Sequence, residues 1–387
     1  MTVGALNLDD TAAEHTERIR ALRASMRRLG LAAVAVASPE NVYYLTGLDH
    51  LGYFAFTLLV VPREGAPTLV TRAMERPTVR AQVPWCRHVV FGEDEPAAPA
   101  AASVLAEVVE AGATVALDED SMFFPPSTAA RLVALLPGLR WTNGSGLLAG
   151  QRAVKSGGEI DHVRRAARLS DRAMAAGLAA LRPGVPQRRV AAGVYRTMIA
   201  DGGQPPGFAP LIRPTSMLDQ EHVSWSDGPV RPGQGWFFEL SASVRRYHAP
   251  LSRTVYVGHA PDGADQAAAA ALAGLVAARD ALRPGVRTGE VYAAWERAVA
   301  GHPSPAWPLR HHCGYLVGIG FPPSWVGGGQ VLGIRPGGEV AVAAGMTFHL
   351  MSWVTRPVGH VVSDTALVTP AGAELLTTVP RGLTVVG

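Results

Sequence analysis

The chain has 387 residues, of which 48% are hydrophobic and 17% are charged, and its formal net charge is +3. This length favours two domains, or one large domain with a smaller companion. The small net charge comes from arginines spread along the chain, so we expect no nucleic-acid partner and no membrane partner. Two cysteines without metal-binding spacing exclude a disulfide framework and a zinc ribbon.

The N-terminal segment lacks the features of a secretory signal. Asp9, Asp10 and Glu14 stand where an apolar segment would be needed. Apolar runs such as residues 58–61 are far shorter than a membrane span. We therefore expect a soluble, cytoplasmic protein.

Helical and strand patterns alternate in the first part of the chain. Apolar residues recur at helical spacing from Asp10, and Gly30 ends this helix. The next predicted elements are strands at 31–37, 54–61, 67–71 and 114–117, helices at 97–111 and 126–136, and a turn at 38–41. Strands that alternate with helices predict an α/β domain.

The second part of the chain contains an internal repeat of helix pairs. Two predicted helices, 160–181 and 187–200, flank Arg182-Pro183-Gly184, and two more, 266–282 and 289–300, flank Arg283-Pro284-Gly285. Each pair precedes a β block, at 208–257 and at 314–368. Such a repeat predicts a pseudo-two-fold domain with its site between the two halves.

A predicted β-hairpin lies at Gly235–Val257. Aromatic and β-branched residues dominate both of its flanks, and the stretch 241–246, Ser-Ala-Ser-Val-Arg-Arg, is the predicted turn. Glu239 interrupts the first apolar strand. A carboxylate there loses solvation unless it is paired, and such perturbed carboxylates are typical of catalytic sites. The alternative is a glutamate on the polar face of the strand.

Several motifs resemble the pita-bread family, which includes creatinase, prolidase, aminopeptidase P and methionine aminopeptidase. They are Asn41–Gly47, Arg152–Ser156, Ser252-Arg253-Thr254 and the relaxed Ala344-Gly345-Met346. Within the family, residues 237–239, 246–255, 318–323 and 345–349 are similar to the ectoine hydrolase branch.

This resemblance implies an architecture and an assembly. It implies a creatinase-type α/β N-terminal domain at 1–150 and an α+β pita-bread catalytic domain at 151–387 with a pseudo-two-fold repeat. It also implies a homodimer, in which the aromatic segment Tyr43–Phe56 of one subunit helps to close the cleft of the other.

The metallopeptidase members of the family hold two divalent ions with two Asp, one His and two Glu. Counting from the matched motifs, this chain has Glu239, Pro250, Tyr315, Met351 and Ser363 at those positions. A dinuclear site for hard ions needs several converging oxygen donors. We therefore expect no metal and no other cofactor.

The resemblance also implies a histidine in the active cleft, and His222 falls at that position, seventeen residues before Glu239. We expect a metal-independent hydrolase of a non-peptide C–N bond in a small cyclic amidine-like (ectoine-like) or amide substrate. Glu239 is the expected nucleophile or base, and His222 transfers a proton. The expected substrate contacts are Tyr247, His248, Arg253, Trp225, Tyr315, His349, Asp364 and Tyr53.

Other functions stay open at this stage. A metal-free lyase or cyclase would use the same Glu–His pair, and a non-catalytic binding protein of the same fold in a secondary-metabolic pathway is a further alternative. A metal-dependent Xaa-Pro peptidase needs the ligands that this chain lacks.

Overall fold

A computed structural model describes residues 8–302, 310–327, 329, 331–355 and 358–387. The chain divides into two compact units. One is Met1–Arg152 with Gly327–Gln330, and the other is Ala153–Val326 with Val331–Gly387. Across the described ranges, no helix is long and apolar enough to cross a membrane.

The first unit is an α/β domain built on one mixed six-stranded sheet. Its helices are α1 (Leu8–Arg28), α2 (Pro39–Thr46), α3 (Arg76–Gln82), α4 (Ala97–Val108), α5 (Pro126–Leu135) and most of α6 (Ser145–Ala153). Its strands are β1 (Leu31–Val36), β2 (Thr57–Pro62), β3 (Thr68–Arg72), β4 (Arg87–Phe91), β5 (Thr114–Leu117) and β6 (Arg140–Asn143), in the order β4-β3-β2-β1-β5-β6. The apolar strands β1 and β2 lie at the centre, as expected for strands covered on both faces.

Two predictions in this unit are wrong. The strand predicted from residue 54 begins only at Thr57, after a 3-10 helix at Gly52–Ala55, and residues 38–41 form no separate turn. Pro39 opens helix α2, where a proline loses no hydrogen bond and its fixed φ suits the helix. Gly47, with φ of 79°, ends α2. Helix α3 and strands β4 and β6 were not predicted from the sequence, because they are short and mostly polar or partly exposed.

The second unit combines two helix pairs with one antiparallel sheet. Its helices are α7 (Gly157–Ala180), α8 (Gln187–Ala200), α9 (Ala264–Ala281) and α10 (Thr288–Ala300). Its strands are β7 (Leu211–Pro214), β8 (Gly235–Val244), β9 (Tyr247–Val257), β10 (Gly314–Leu316), β11 (Thr347–Val354), β12 (His360–Thr369), β13 (Gly372–Leu375) and β14 (Thr384–Val386). The main order is β10-β11-β12-β9-β8-β7, with β13 on β12 and β14 on β9.

The predicted repeat is visible in the packing of this unit. Helix α7 packs on β8 and β9 and on its partner α8, while α9 packs on β11 and β12 and on its partner α10. Each helix pair therefore covers one half of the sheet, as the pseudo-two-fold pattern predicts.

The two faces of the sheet have different surroundings. Phe238 faces helix α7 so closely that a Cβ added to Gly177 would lie 3.2 Å from its ring. Phe348 and Leu350 belong to the core formed with α9 and α10. On the opposite face, Phe237, Met351 and Trp353 form a separate apolar cluster. Because side chains alternate along a strand, Glu239 shares this second face, away from the helices.

The predicted hairpin is present, but its turn is shorter than expected. Ser241, Ala242 and Ser243 continue strand β8, and the turn consists of Arg245 and Arg246, with φ of 51° and 65°. A two-residue turn with two positive φ angles matches the twist of the flanking strands. Ser241 stays in the strand because its Oγ accepts a hydrogen bond from the Ala249 amide at 2.9 Å.

Candidate active site

The antiparallel register aligns five residues across the sheet. Glu239 lies opposite Leu211 and Ser252, Ser252 lies opposite Ser363, and Ser363 lies opposite Met351. Directly opposed residues of antiparallel strands project to the same face. The row therefore brings together three of the five positions at which the resemblance places metal ligands.

A pocket with an empty volume of about 360 Å³ opens on this face. Its apolar wall is formed by Leu211, Phe237, Met351 and Trp353. Its polar wall is formed by Arg213, Glu221, His222, Glu239, Arg310, His312 and Tyr315. The pocket thus contains the predicted pair Glu239 and His222, together with the predicted substrate contact Tyr315.

Glu239 is the buried carboxylate of the pocket, with 7% of its surface exposed. Burial raises its pKa from 4.5 to about 7, although the cations of Arg213 and Arg310 act in the opposite direction. In the part of the chain that the structure describes, no group donates a hydrogen bond to this carboxylate. Glu239 is therefore suited to accept a proton near neutral pH.

Two arginines line the pocket, and sequence reasoning did not find them. The Arg213 guanidinium lies 4.6 Å from the centre of the Phe237 ring and donates to the carbonyls of Met217 and Val223 at 3.1 and 3.2 Å. Arg213 shares the face of Glu239 because it lies two residues after Leu211, opposite Phe237. Alternation along Leu211–Pro214, combined with pairing to β8, was the signal that would have found it.

Arg310 is the second arginine. Its guanidinium lies 4.1 Å from the centre of the Trp353 ring and forms an ion pair with Glu221 at 2.8 Å. Glu221 is about half exposed. The pocket therefore carries two cations, one partly exposed acid and one buried acid.

His222 is an exposed residue in the loop between β7 and β8. Its φ of 59° is unusual for a residue other than glycine, and such backbone conformations concentrate at functional sites. Its ring centre lies 5.7 Å from that of Phe208. His222 thus lines the same pocket as Glu239 from a segment outside the regular sheet.

Tyr315 and His349 belong to a hydrogen-bonded chain beside the pocket. The Trp325 indole donates to the Tyr315 hydroxyl at 3.0 Å, the hydroxyl lies 2.9 Å from His349 Nδ1, and His349 Nε2 lies 2.6 Å from Ser363 Oγ. Burial lowers the pKa of His349 to about 3 and raises that of Tyr315. Both side chains are therefore neutral near pH 7.

Gly314 allows the close approach that positions Tyr315. Its φ is 156°, and an added Cβ would lie 2.5 Å from the His349 carbonyl oxygen. A side chain at this position would push strand β10 away from β11.

Arg253 and Asp364 lie in a buried ion-pair network, which corrects the expectation that they contact the substrate. Asp364 accepts hydrogen bonds from Arg253 at 2.9 Å, Thr377 at 2.6 Å and Arg381 at 2.6 Å. Arg253 follows Ser252 in β9, so it projects to the face opposite Glu239. These two residues tie β9 and β12 to the C-terminal segment.

Tyr247 and His248 also lie away from the pocket, at the far end of the hairpin. The Tyr247 hydroxyl donates to Glu159 of α7 at 2.6 Å, on the helix side of the sheet. His248 is fully buried, and its Nε2 accepts a hydrogen bond from the Gly207 amide at 2.8 Å. Burial lowers its pKa to about 4. The expectation of substrate contacts is thus corrected for this pair as well, since both have structural partners.

The last two predicted contacts lie outside the lining of this pocket. The Trp225 ring packs edge-on against Tyr195, with 5.9 Å between the ring centres. Tyr53 belongs to the first unit, where its ring packs edge-on against Phe123 at 5.1 Å. A substrate contact through Tyr53 or Trp225 stays a prediction.

Residues 161–370, more than half of the chain, match the model of metallopeptidase family M24, and residues 18–154 match that of the creatinase/prolidase N-terminal domain. The chain belongs to metallopeptidase family M24. This membership and the observed sheet and helix pairs agree with the predicted creatinase-type and pita-bread architecture.

Individual relatives cover almost the whole chain. Ectoine hydrolase from Halomonas elongata is 29% identical, and the match covers 98% of both chains. Dipeptidase PepE from Mycobacterium ulcerans superposes with a TM-score of 0.81 at 24% identity, covering 97% of this chain and 98% of that one. A prolidase from Thermococcus sibiricus superposes with a TM-score of 0.85 at 19% identity, covering 96% of this chain and 99% of that one.

The M24 family implies a divalent metal, and the residues present do not fit one. Pro250 has no side-chain donor, Met351 offers a thioether, Ser363 an alcohol, and Tyr315 a neutral phenol whose pKa burial raises. Only Glu239 supplies a carboxylate to the row. Among the described residues, no group of three or more His, Cys, Asp and Glu side chains is arranged to hold a metal ion.

Proposed function

We propose that this protein is a metal-independent hydrolase of a non-peptide C–N bond in a small cyclic amidine-like, ectoine-like or amide substrate. The observation that carries the proposal is Glu239, a buried carboxylate with a pKa near 7, in a pocket that also contains His222. Similarity to an ectoine hydrolase along the whole chain supports the substrate class.

The chemistry follows from the electrophilic carbon of a protonated amidine. Ionised Glu239 deprotonates a water aimed at that carbon, or attacks the carbon directly as a nucleophile. The tetrahedral adduct then collapses when the leaving nitrogen gains a proton, and we assign delivery of that proton to His222, which lines the same pocket. Either route consumes one water and yields an amide and a free amine; after direct attack, that water hydrolyses the bond between Glu239 and the substrate carbon.

The two arginines favour a substrate that also carries a carboxylate. Arg213 and Arg310 present guanidinium groups beside aromatic rings in a partly dry pocket. Arginine donors recognise carboxylates with good geometry, and burial strengthens the attraction. A carboxylate held by these arginines fixes the ring of a small substrate relative to Glu239.

The test is turnover of ectoine and of small cyclic amides by wild-type protein and two variants. Glu239→Gln keeps the side-chain volume and removes the charge, so kcat falls at least about a hundredfold. His222→Ala lowers kcat while binding stays measurable, because proton transfer is needed in the transition state. Glu374→Gln, at an exposed carboxylate of the same unit, is the matched control and keeps full activity.

Three outcomes decide between mechanisms and functions. A mass adduct on the peptide containing Glu239 after rapid quenching identifies a covalent route, and its absence identifies general-base catalysis. Near-full activity of both site variants would overturn the assignment. Turnover of Xaa-Pro dipeptides that depends on added metal would replace this proposal with the peptidase function.

A further inference from the structure

The hydrogen-bonded chain Trp325–Tyr315–His349–Ser363 defines where the Tyr315 proton points. The phenol oxygen has one proton to donate and two lone pairs that accept. Its two neighbours are the Trp325 indole nitrogen at 3.0 Å and His349 Nδ1 at 2.9 Å. Indole is a donor only, so Trp325 occupies one lone pair of the phenol oxygen.

The second neighbour, His349, is neutral and therefore carries a single N–H. If that proton is on Nε2, it is donated to Ser363 Oγ at 2.6 Å, and Tyr315 donates to Nδ1. The fully buried Ser363 hydroxyl then has a proton without an acceptor. Ser252 Oγ, beside it in the row, has no hydrogen-bond partner among the described residues, so it does not accept that proton.

The other tautomer moves the donor without an acceptor from the fully buried Ser363 to Tyr315, which lines the pocket, where solvent or substrate can accept its proton. With the proton on Nδ1, His349 donates to the Tyr315 oxygen, and Ser363 donates to Nε2. An unsatisfied buried donor costs about 1–3 kcal/mol, so the Nδ1–H tautomer is favoured. The Tyr315 oxygen then accepts two hydrogen bonds, and its own proton is left to point away from both donors.

We propose that Tyr315 donates this proton into the pocket, to the oxygen of the tetrahedral intermediate, and that His349 and Trp325 are positioning residues that hold it there. The proposal deepens, and rests on, the proposed hydrolytic function. Tyr315 lines the same pocket as Glu239 and His222. It stands at the position where the resemblance places the metal-binding histidine, so a hydrogen-bond donor replaces a Lewis acid at this point.

The interaction is a hydrogen bond and needs no net proton transfer from Tyr315. In an amidine substrate, the accepting oxygen is the one that water adds to the ring carbon, and charge develops on it when the adduct gives up its hydroxyl proton and expels the amine. In an amide substrate, it is the former carbonyl oxygen. A donor held ready by two other hydrogen bonds needs no reorganisation as charge develops on this oxygen.

The first test is independent of turnover. Long-range ¹H–¹⁵N correlation spectra of the full-length protein at pH 7 identify the tautomer of His349, which is assigned by its loss in His349→Asn. The expected result is a neutral ring protonated on Nδ1. A ring protonated on Nε2 would overturn the proposal, even if ectoine is not a substrate.

The second test uses kinetics with ectoine as the probe. Tyr315→Phe keeps the ring and loses the donor, so kcat falls about a hundredfold or more while KM changes only a few-fold. Circular dichroism and thermal unfolding verify that the variant is folded. A folded Tyr315→Phe variant with near wild-type kcat would refute the role of the hydroxyl.

The third test separates positioning from simple support of the fold. His349→Asn places an amide N–H near the position of Nδ1, whereas His349→Leu offers no donor. We expect kcat of the Asn variant to exceed that of the Leu variant at least about tenfold. Equal losses would contradict the positioning role. If Tyr315→Phe is inactive but Glu239→Gln retains activity, the proposed function fails and the hydrogen-bond assignment stands.

Discussion

Ionisation of the buried Glu239 carboxylate lowers the stability of the folded protein, and Glu239→Gln measures that effect. The folded-state pKa of about 7 exceeds the ordinary value of 4.5. For a group whose folded pKa is raised, the stabilising contribution of protonation is complete below the unfolded pKa. It is lost as pH rises through the folded pKa. The ionised carboxylate therefore destabilises the folded protein above pH 7.

The size of the effect follows from the two pKa values. One pKa unit corresponds to about 1.4 kcal/mol, so complete ionisation of Glu239 costs about 3 kcal/mol of unfolding free energy. At pH 5 the same linkage lowers the unfolding free energy by only about 1 kcal/mol. Because glutamine keeps the volume and cannot ionise, Glu239→Gln should gain stability over wild type as pH rises.

The assay is urea unfolding of wild type and Glu239→Gln at pH 5 and pH 8, followed by tryptophan fluorescence. Glu374→Gln is the control, since Glu374 pairs with Arg164 at 2.6 Å on the surface and this pairing lowers its pKa. The control Glu374→Gln should lower the unfolding free energy by less than about 1 kcal/mol, whereas Glu239→Gln should raise it. If Glu239→Gln is no more stable than wild type at pH 8, Glu239 is not a desolvated, ionisable base and the argument fails.

Two further predictions concern the network on the other face and the assembly. Asp364→Asn should destabilise the protein by about 3–5 kcal/mol, because it weakens a fully buried ion pair. The kcat of the folded fraction should stay near that of wild type. A large loss of kcat at unchanged stability would contradict the structural role. Light scattering at micromolar concentration should show a homodimer. Phe54→Arg, at a ring that is 76% exposed, should weaken the dimer. A monomeric wild-type protein would count against the family-based expectation.

Periodicity and turn chemistry predicted most of the fold in the second unit. The Arg-Pro-Gly stops at 182–184 and 283–285 marked the ends of α7 and α9, and helix α8 begins and ends at the predicted residues. The short elements α3, β4 and β6 escaped prediction, because they are polar or only partly buried and so leave no clear periodic pattern. Strand β8 continues through Ser241, whose hydroxyl accepts a hydrogen bond from the Ala249 amide of the neighbouring strand.

The site was partly predictable for a similar reason. Glu239 was selected as a candidate because a carboxylate in an apolar strand is unusual, and Tyr315 and His222 were selected from the family motifs. All three line one pocket, and their roles stay predictions. Arg253 and Asp364 were misassigned because residue type alone does not tell on which face of a strand a side chain lies. Arg213 was missed because its place beside Glu239 depends on the register between β7 and β8.

The most direct test of the central claim is the pH dependence of kcat/KM for ectoine hydrolysis by chelator-treated enzyme. Because kcat/KM reports ionisations of the free enzyme, ionised Glu239 as base or nucleophile predicts activity that rises with pH. The midpoint should lie near pH 7, and the profile should be unchanged by chelator. Activity that vanishes with chelator and returns with a divalent metal, or a midpoint near 4.5, would contradict the account.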